Sequence, residues 1–232
     1  MERIDTRSPN HGPRRHNGPP DMVVLHHTAM LSCTAAVARL CDPATEVSAH
    51  YVISETGQVH HLVAEDRRAW HAGAGAWGSV YDVNSHSIGI ELANAGPLDG
   101  DPPFPEPQMA ALENLLGDIL SRRAIPPARV IAHSDMAPAR KFDPGAAFDW
   151  QRLARRGLSV WPKPVAGGDF AADAITFGYH PPQRVDNPDG AVLAAFRLRF
   201  RPFVTGPLDD TDRALMRDLA QRFAVDRSIA SA

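Results

Sequence analysis

Three short apolar runs constrain this chain more than any other feature, because each one ends in a residue that carries chemistry. Met22 to His27 reads MVVLHH, Ser87 to Leu92 reads SIGIEL, and Val130 to His133 reads VIAH. Runs this short, apolar almost throughout, predict buried strands rather than surface helices. Two further runs, HYVIS over 50–54 and VHHLV over 59–63, are separated by Glu55-Thr56-Gly57-Gln58, which predicts a hairpin.

Helical patterning fills the gaps between these strands. Residues 34–42 predict a short helix stopped by Asp42-Pro43. From Pro107 to Arg123 the apolar positions Met109, Leu112, Leu115, Leu116, Ile119 and Leu120 mark one helical face. Arg122 and Arg123 in its last turn suit the negative end of the helix dipole. Residues 1–21, 70–80 and 95–107 read as irregular, the first as an N-terminal arm. The order predicts an α/β fold: a mixed central β-sheet flanked by helices.

Beyond residue 162 the pattern changes. Residues 163–168 read as a linker, and 169–178, 191–200 and 209–223 as three helices. The expected organisation is therefore a domain over 1–162, a linker over 163–168, and a small three-helix domain over 169–232. Ala194, Phe196, Leu198, Phe200 and Phe203 are the expected apolar contacts of the second helix.

Composition limits the function classes. Hydrophobic residues make up 44% and charged residues 22%, which places the chain among globular proteins. A net charge of -3 over 232 residues gives no basic excess for nucleic acid. No apolar stretch reaches the length of a membrane span. The N-terminal residues lack the apolar core of a secretory signal, which leads to the expectation of a cytoplasmic protein; a monomer is the expected state. Cys33 and Cys41, eight positions apart in a predicted helix, are too distant for a disulfide.

Eleven histidines are a high number for this length. His133 leaves a buried strand, and Asp143 follows ten residues later in a Pro-Gly turn. His26 ends a different buried strand. Two histidines and a carboxylate would leave a fourth position open for water, as a catalytic zinc site requires. His27 follows His26 directly, and successive strand residues point to opposite faces, so only one of them readily faces a metal. His50, His60 and His61 read as structural.

The stretches SPNHGPR, VVLHHTA, SAHYVIS, AWHAG, SIGIELAN and VIAHSDMAPARKFDPG together resemble the N-acetylmuramoyl-L-alanine amidases of the AmpD and AmiD type. That family also includes phage lysozyme-like amidases and peptidoglycan recognition proteins. The resemblance spans roughly residues 8–161 and is most specific in the last stretch. Phe148-Asp149-Trp150 after the DPG brings it closest to the AmiD-like members.

The resemblance implies that His26, His133 and Asp143 ligate zinc. It implies that Glu91 is the catalytic glutamate, that Lys141 stabilises the oxyanion, and that Tyr51 lines the site. Trp70, His71 and Arg140 are the further candidates for substrate contacts. The implied reaction is hydrolysis of the amide between the lactyl group of N-acetylmuramic acid and L-alanine. Its substrates would be peptidoglycan or muropeptides, 1,6-anhydro forms among them.

The stretches FGYHPP and AVLAAFRLRFRP resemble, more weakly, the peptidoglycan-binding modules that follow AmiD-type catalytic domains. Likeness to that type, often exported, sets a periplasmic or outer-membrane location against the cytoplasmic one. The rival function is a peptidoglycan sensor on the same fold that does no chemistry. The presence of both Asp143 and Glu91 favours the enzyme.

Overall fold

The computed structural model describes residues 3–225. Its centre is a six-stranded mixed sheet in the order β1-β5-β4-β7-β3-β8. These strands are β1 (Arg3–Asp5), β3 (Met22–His27), β4 (Tyr51–Ile53), β5 (Val59–His61), β7 (Ser87–Leu92) and β8 (Val130–Ala132). The four strands β4, β7, β3 and β8 run parallel, and β4 and β5 form the expected antiparallel hairpin. A two-stranded ribbon joins β2 (His11–Pro13) to β6 (Arg67–Ala69).

The arm expected to be irregular thus carries β1 and β2. Both are only three residues long. They have no apolar periodicity of their own and take strand form only through backbone pairing, β1 along β5 and β2 with β6. β6, in RRA, was hidden for the same reason.

Alternation along the strands divides the core. Val23, Leu25, Tyr51, Ile53, Ile88 and Ile90 face α3 (Glu106–Arg123), whose Leu112, Leu115, Leu116 and Ile119 cover them. On the opposite face Val52 and Ala93 lie under Leu40 of α1 (Cys33–Cys41). Both cysteines are free. The short α2 (Val83–His86) leads directly into β7, α4 (His133–Met136) leaves β8, and α5 (Trp150–Arg155) follows the loop that holds Asp143.

The C-terminal segment forms α6 (Phe170–Phe177), α7 (Pro188–Phe200) and α8 (Asp210–Phe223), close to the expected spans. Met22, Val24 and Ile131 of the sheet share one apolar cluster with Phe170, Phe177, Phe196, Phe200 and Leu219 of these helices. The linker is also tied down, since Lys163 N donates to Asp218 Oδ2 at 2.9 Å and Val165 N to Ala214 O at 3.3 Å. Positions 226–232 of the expected C-terminal unit lie outside the described residues.

Two of the expected contacts of α7 need correction. Ala194 and Phe203 are exposed, whereas Val192, Ala195, Phe196, Arg199 and Phe200 point inward. The inward set follows the 3.6-residue helical period, and Phe203 lies beyond the helix end. No helix among the described residues is long and apolar enough to cross a membrane.

A buried ion pair joins the helices to the sheet. Arg199 Nη1 donates to Asp135 Oδ2 at 2.6 Å, and Tyr179 Oη donates to Asp135 Oδ1 at 2.6 Å. Arg199 also reaches Val130 O and lies over the Trp150 ring, 4.3 Å from its centroid.

Candidate active site

The parallel strands β3, β7 and β8 deliver their C-terminal ends to one side of the sheet, where open α/β sheets bind ligands. His26 near the end of β3 pairs in register with Glu91 of β7, so both side chains leave the same face. His133 begins α4 immediately after β8. The loop that follows folds back so that Ser134 N donates to Asp143 O at 3.1 Å, which brings the acid to the same point.

There the three predicted metal ligands meet. His26 Nδ1 lies 2.9 Å from His133 Nδ1 and 3.0 Å from Asp143 Oδ2. His133 Nδ1 lies 3.0 Å from the same oxygen. Zinc with ligands at about 2.0–2.1 Å in a tetrahedron spaces them by roughly 3.3 Å, close to this triangle. His133 Nε2 donates to Ala72 O at 2.9 Å, leaving its Nδ1 lone pair toward Asp143. The donor set fits a divalent cation.

The electrostatics fit as well. Burial, with the neighbouring His133, pushes the His26 imidazole down to about 4, so it is neutral and able to ligate. Burial would raise the Asp143 carboxyl, but the adjoining His133 and His26 rings outweigh it and hold it well below the usual carboxylate range. Glu91 goes the other way. Burial, helped by the Asp143 charge and opposed by Lys141, pushes it up to about 8. Its Oε2 is buried with no hydrogen-bond partner among the described residues.

These groups line a cleft of about 310 Å³. Trp70, Arg140 and Lys141 line it too, as do Phe142, Met30, Arg39 and Leu40, which the sequence did not single out. Arg140 donates to Ala72 O at 2.8 Å and also to Ala74 O, so its guanidinium braces the 72–74 backbone at the cleft edge. His27, the next residue of β3, also lines the cleft but is not among the converging ligand atoms. Its Nδ1 accepts from Ala29 N, and its ring packs 5.8 Å from Phe142.

Two expected substrate contacts are placed differently. Tyr51 does not line the cleft. It sits one position before Val52, the register partner of Glu91, and therefore points to the α3 face, where its hydroxyl donates to Glu65 Oε1 at 2.8 Å. His71 reaches the cleft floor, but its Nδ1 lies 3.0 Å from His26 Nε2 and its Nε2 3.1 Å from Ser87 Oγ. Its polar atoms are thus engaged behind the metal ligands. The histidines read as structural include His50, which is buried and whose Nδ1 accepts from Gly89 N at 2.9 Å.

Comparison with known proteins decides the family. Residues 16–146 match the family profile Amidase_2, described as N-acetylmuramoyl-L-alanine amidase. The chain belongs to the N-acetylmuramoyl-L-alanine amidase family. It is 32% identical over 234 residues to the amidase AmiD of Escherichia coli, covering 88% of this chain and 84% of AmiD. The AmpD amidase of Enterobacter cloacae is 30% identical over 170 residues, covering 65% of this chain and 89% of AmpD.

Among solved structures, E. coli AmiD in complex with anhydro-N-acetylmuramic acid-L-Ala-D-gamma-Glu-L-Lys superposes with a TM-score of 0.80. The identity is 32%, over 91% of this chain and 93% of that one. Pseudomonas aeruginosa AmpDh3 in complex with anhydromuramic pentapeptide also gives 0.80, at 31% identity over 90% and 94%. The likeness to these two amidases extends across the C-terminal helices as well as the family-matched residues.

Proposed function

We propose that this amidase hydrolyses the amide between the lactyl group of N-acetylmuramic acid and L-alanine in peptidoglycan fragments, 1,6-anhydro forms among them, and that it depends on zinc. One observation carries the reading. Two imidazole nitrogens and a carboxylate oxygen converge to within 2.9–3.0 Å of one another, in the cleft that also holds Glu91. The anhydromuramyl peptides bound to AmiD and AmpDh3 support the substrate class.

His26, His133 and Asp143 would hold the ion, which when bound polarises the amide carbonyl and lowers the pKa of a water toward ~7. Glu91 takes the proton of the attacking water and passes it to the leaving nitrogen of L-alanine. To act as base Glu91 must be ionised, a form that the Lys141 charge favours and that a cation held beside it would favour further. The Lys141 ammonium offsets the negative charge that develops on the carbonyl oxygen. Trp70 offers an aromatic surface for the sugar or lactyl group, and Arg140 a cation at the cleft edge.

The deciding experiment compares zinc-replete protein with its Asp143→Ala variant on purified ordinary and anhydro muropeptides, with products identified by mass. Release of free stem peptide by the first and not by the second is expected. No release by a folded, zinc-loaded wild type on either substrate would favour the sensor reading instead.

A further inference from the structure

The hydrogen bonds behind His26 fix where its ring proton sits, and they are best followed from the far end. The Val83 carbonyl only accepts, so the Ser87 hydroxyl, 2.6 Å away, donates its one proton there. Ser87 Oγ can then only accept from the next group. His71 Nε2, 3.1 Å away, therefore carries a proton.

Both ring nitrogens of His71 are engaged by His26 and Ser87, neither of which is a carboxylate. A buried imidazolium there would lack a counter-ion, so the ring is neutral and its Nδ1 is bare. That bare nitrogen accepts from His26 Nε2–H across 3.0 Å. The Nδ1 lone pair of His26 is left facing His133 and Asp143. In the opposite arrangement two acceptors, His71 Nε2 and Ser87 Oγ, would face each other with no proton between them in a buried site.

The surroundings are built to hold this chain. Asn84 Oδ1 accepts from both His71 N at 3.0 Å and Ala72 N at 2.9 Å, which pins the backbone that carries the ring. Gly89 makes room for it, since a Cβ at that position would meet the His71 ring at 2.4–2.6 Å. Val83, Asn84, Ser87 and Gly89 thus serve one purpose, although none of them touches the proposed metal position.

We propose that Ser87 and His71 are positioning residues for metal binding: their directed hydrogen-bond chain holds His26 as the Nε2–H tautomer, with Nδ1 ready to ligate. This rests on the zinc reading of the site. Ligand-orienting partners of this kind are typically worth 10–100-fold in metal affinity.

The test uses the full-length protein with 15N-labelled histidine, metal-free and zinc-loaded. Long-range 1H–15N correlations read the tautomers, and competition with a chelator of known affinity reads the zinc dissociation constant. His71 is expected as the Nε2–H tautomer in the wild type. Ser87→Ala is expected to bind zinc about tenfold more weakly and to lose the single His71 tautomer, with its circular dichroism spectrum retained.

A wild-type His71 protonated on Nδ1 overturns the proposal, and that reading needs no variant to fold. So does a Ser87→Ala variant with wild-type zinc affinity. A wild type that binds no zinc overturns the metal reading as well, and the affinity measurement tells the two failures apart.

Discussion

His26 and Glu91 are register partners in neighbouring parallel strands, and their side chains leave the same face of the sheet. One residue is a proposed metal ligand and the other the proposed proton carrier. Their spacing is therefore set by the sheet ladder rather than by a loop. Glu91→Gln keeps the volume and removes the base. We expect kcat on muropeptides to fall by ~10²–10⁴, with zinc content unchanged. Steady-state kinetics with metal analysis of the same samples checks this, and a tenfold loss or less would remove Glu91 from proton transfer.

Lys141 lines the same cleft and opposes the upward shift of Glu91. If it balances charge only as the carbonyl oxygen becomes anionic, Lys141→Met should lower kcat by ~10²–10³ and leave KM nearly unchanged. A rise in KM at constant kcat would instead make Lys141 a ground-state binding residue.

The Asp135–Arg199 pair is buried on both sides, and Asp135 Oδ2 also accepts from Ala132 N, the residue before His133. Arg199→Met would strand a buried carboxylate. We expect a loss of about 3–5 kcal/mol in denaturant melts. Adding Asp135→Asn should restore part of it, because the uncompensated charge is then gone. Equal melts for Arg199→Met and wild type would show that α7 does not support this corner of the sheet.

Glu65 is one of the carboxylates that contribute to the acid limb of stability. Burial opposes its charge, but the hydrogen bonds from Arg122, Tyr51 and Arg123 prevail and hold the carboxyl down to about 2. A depressed folded pKa gives stability that is complete above the unfolded value, about 4.3, and is lost as the pH falls toward 2. Glu65→Gln should cost about 2 kcal/mol at pH 7 and flatten the loss between about pH 4 and pH 2. Unfolding titrations at several pH values measure it, and an unchanged slope would locate acid sensitivity elsewhere.

Much of the site was legible because its residues sit at the ends of strongly patterned elements. MVVLHH, SIGIEL and VIAH are unmistakable as buried strands, and parallel strands place their ends together whatever the loops do. His26 and His133 stand out at the ends of such strands and Asp143 in the Pro-Gly turn ten residues after His133, whereas the role of Glu91 came from the family resemblance. Tyr51 was misplaced because β4 is only three residues long and buried throughout, so nothing in YVI says which face is which. Only its register against β7, with Val52 opposite Glu91, turns Tyr51 away from the cleft.

The sequence alone determined the strongly patterned strands and the α3 face, because these rest on local periodicity, while residue chemistry together with the family resemblance supplied the proposed metal ligands. Tertiary structure decided what depends on pairing between distant segments. The strands β1, β2 and β6 form only against partners, Glu65 gathers Arg122 and Arg123 from the far end of α3, and Arg199 crosses from α7 to Asp135. His71 illustrates the limit best. Its neighbours His26 and Ser87 lie 45 and 16 positions away, so the hydrogen bonds that define its role exist only after the sheet has assembled.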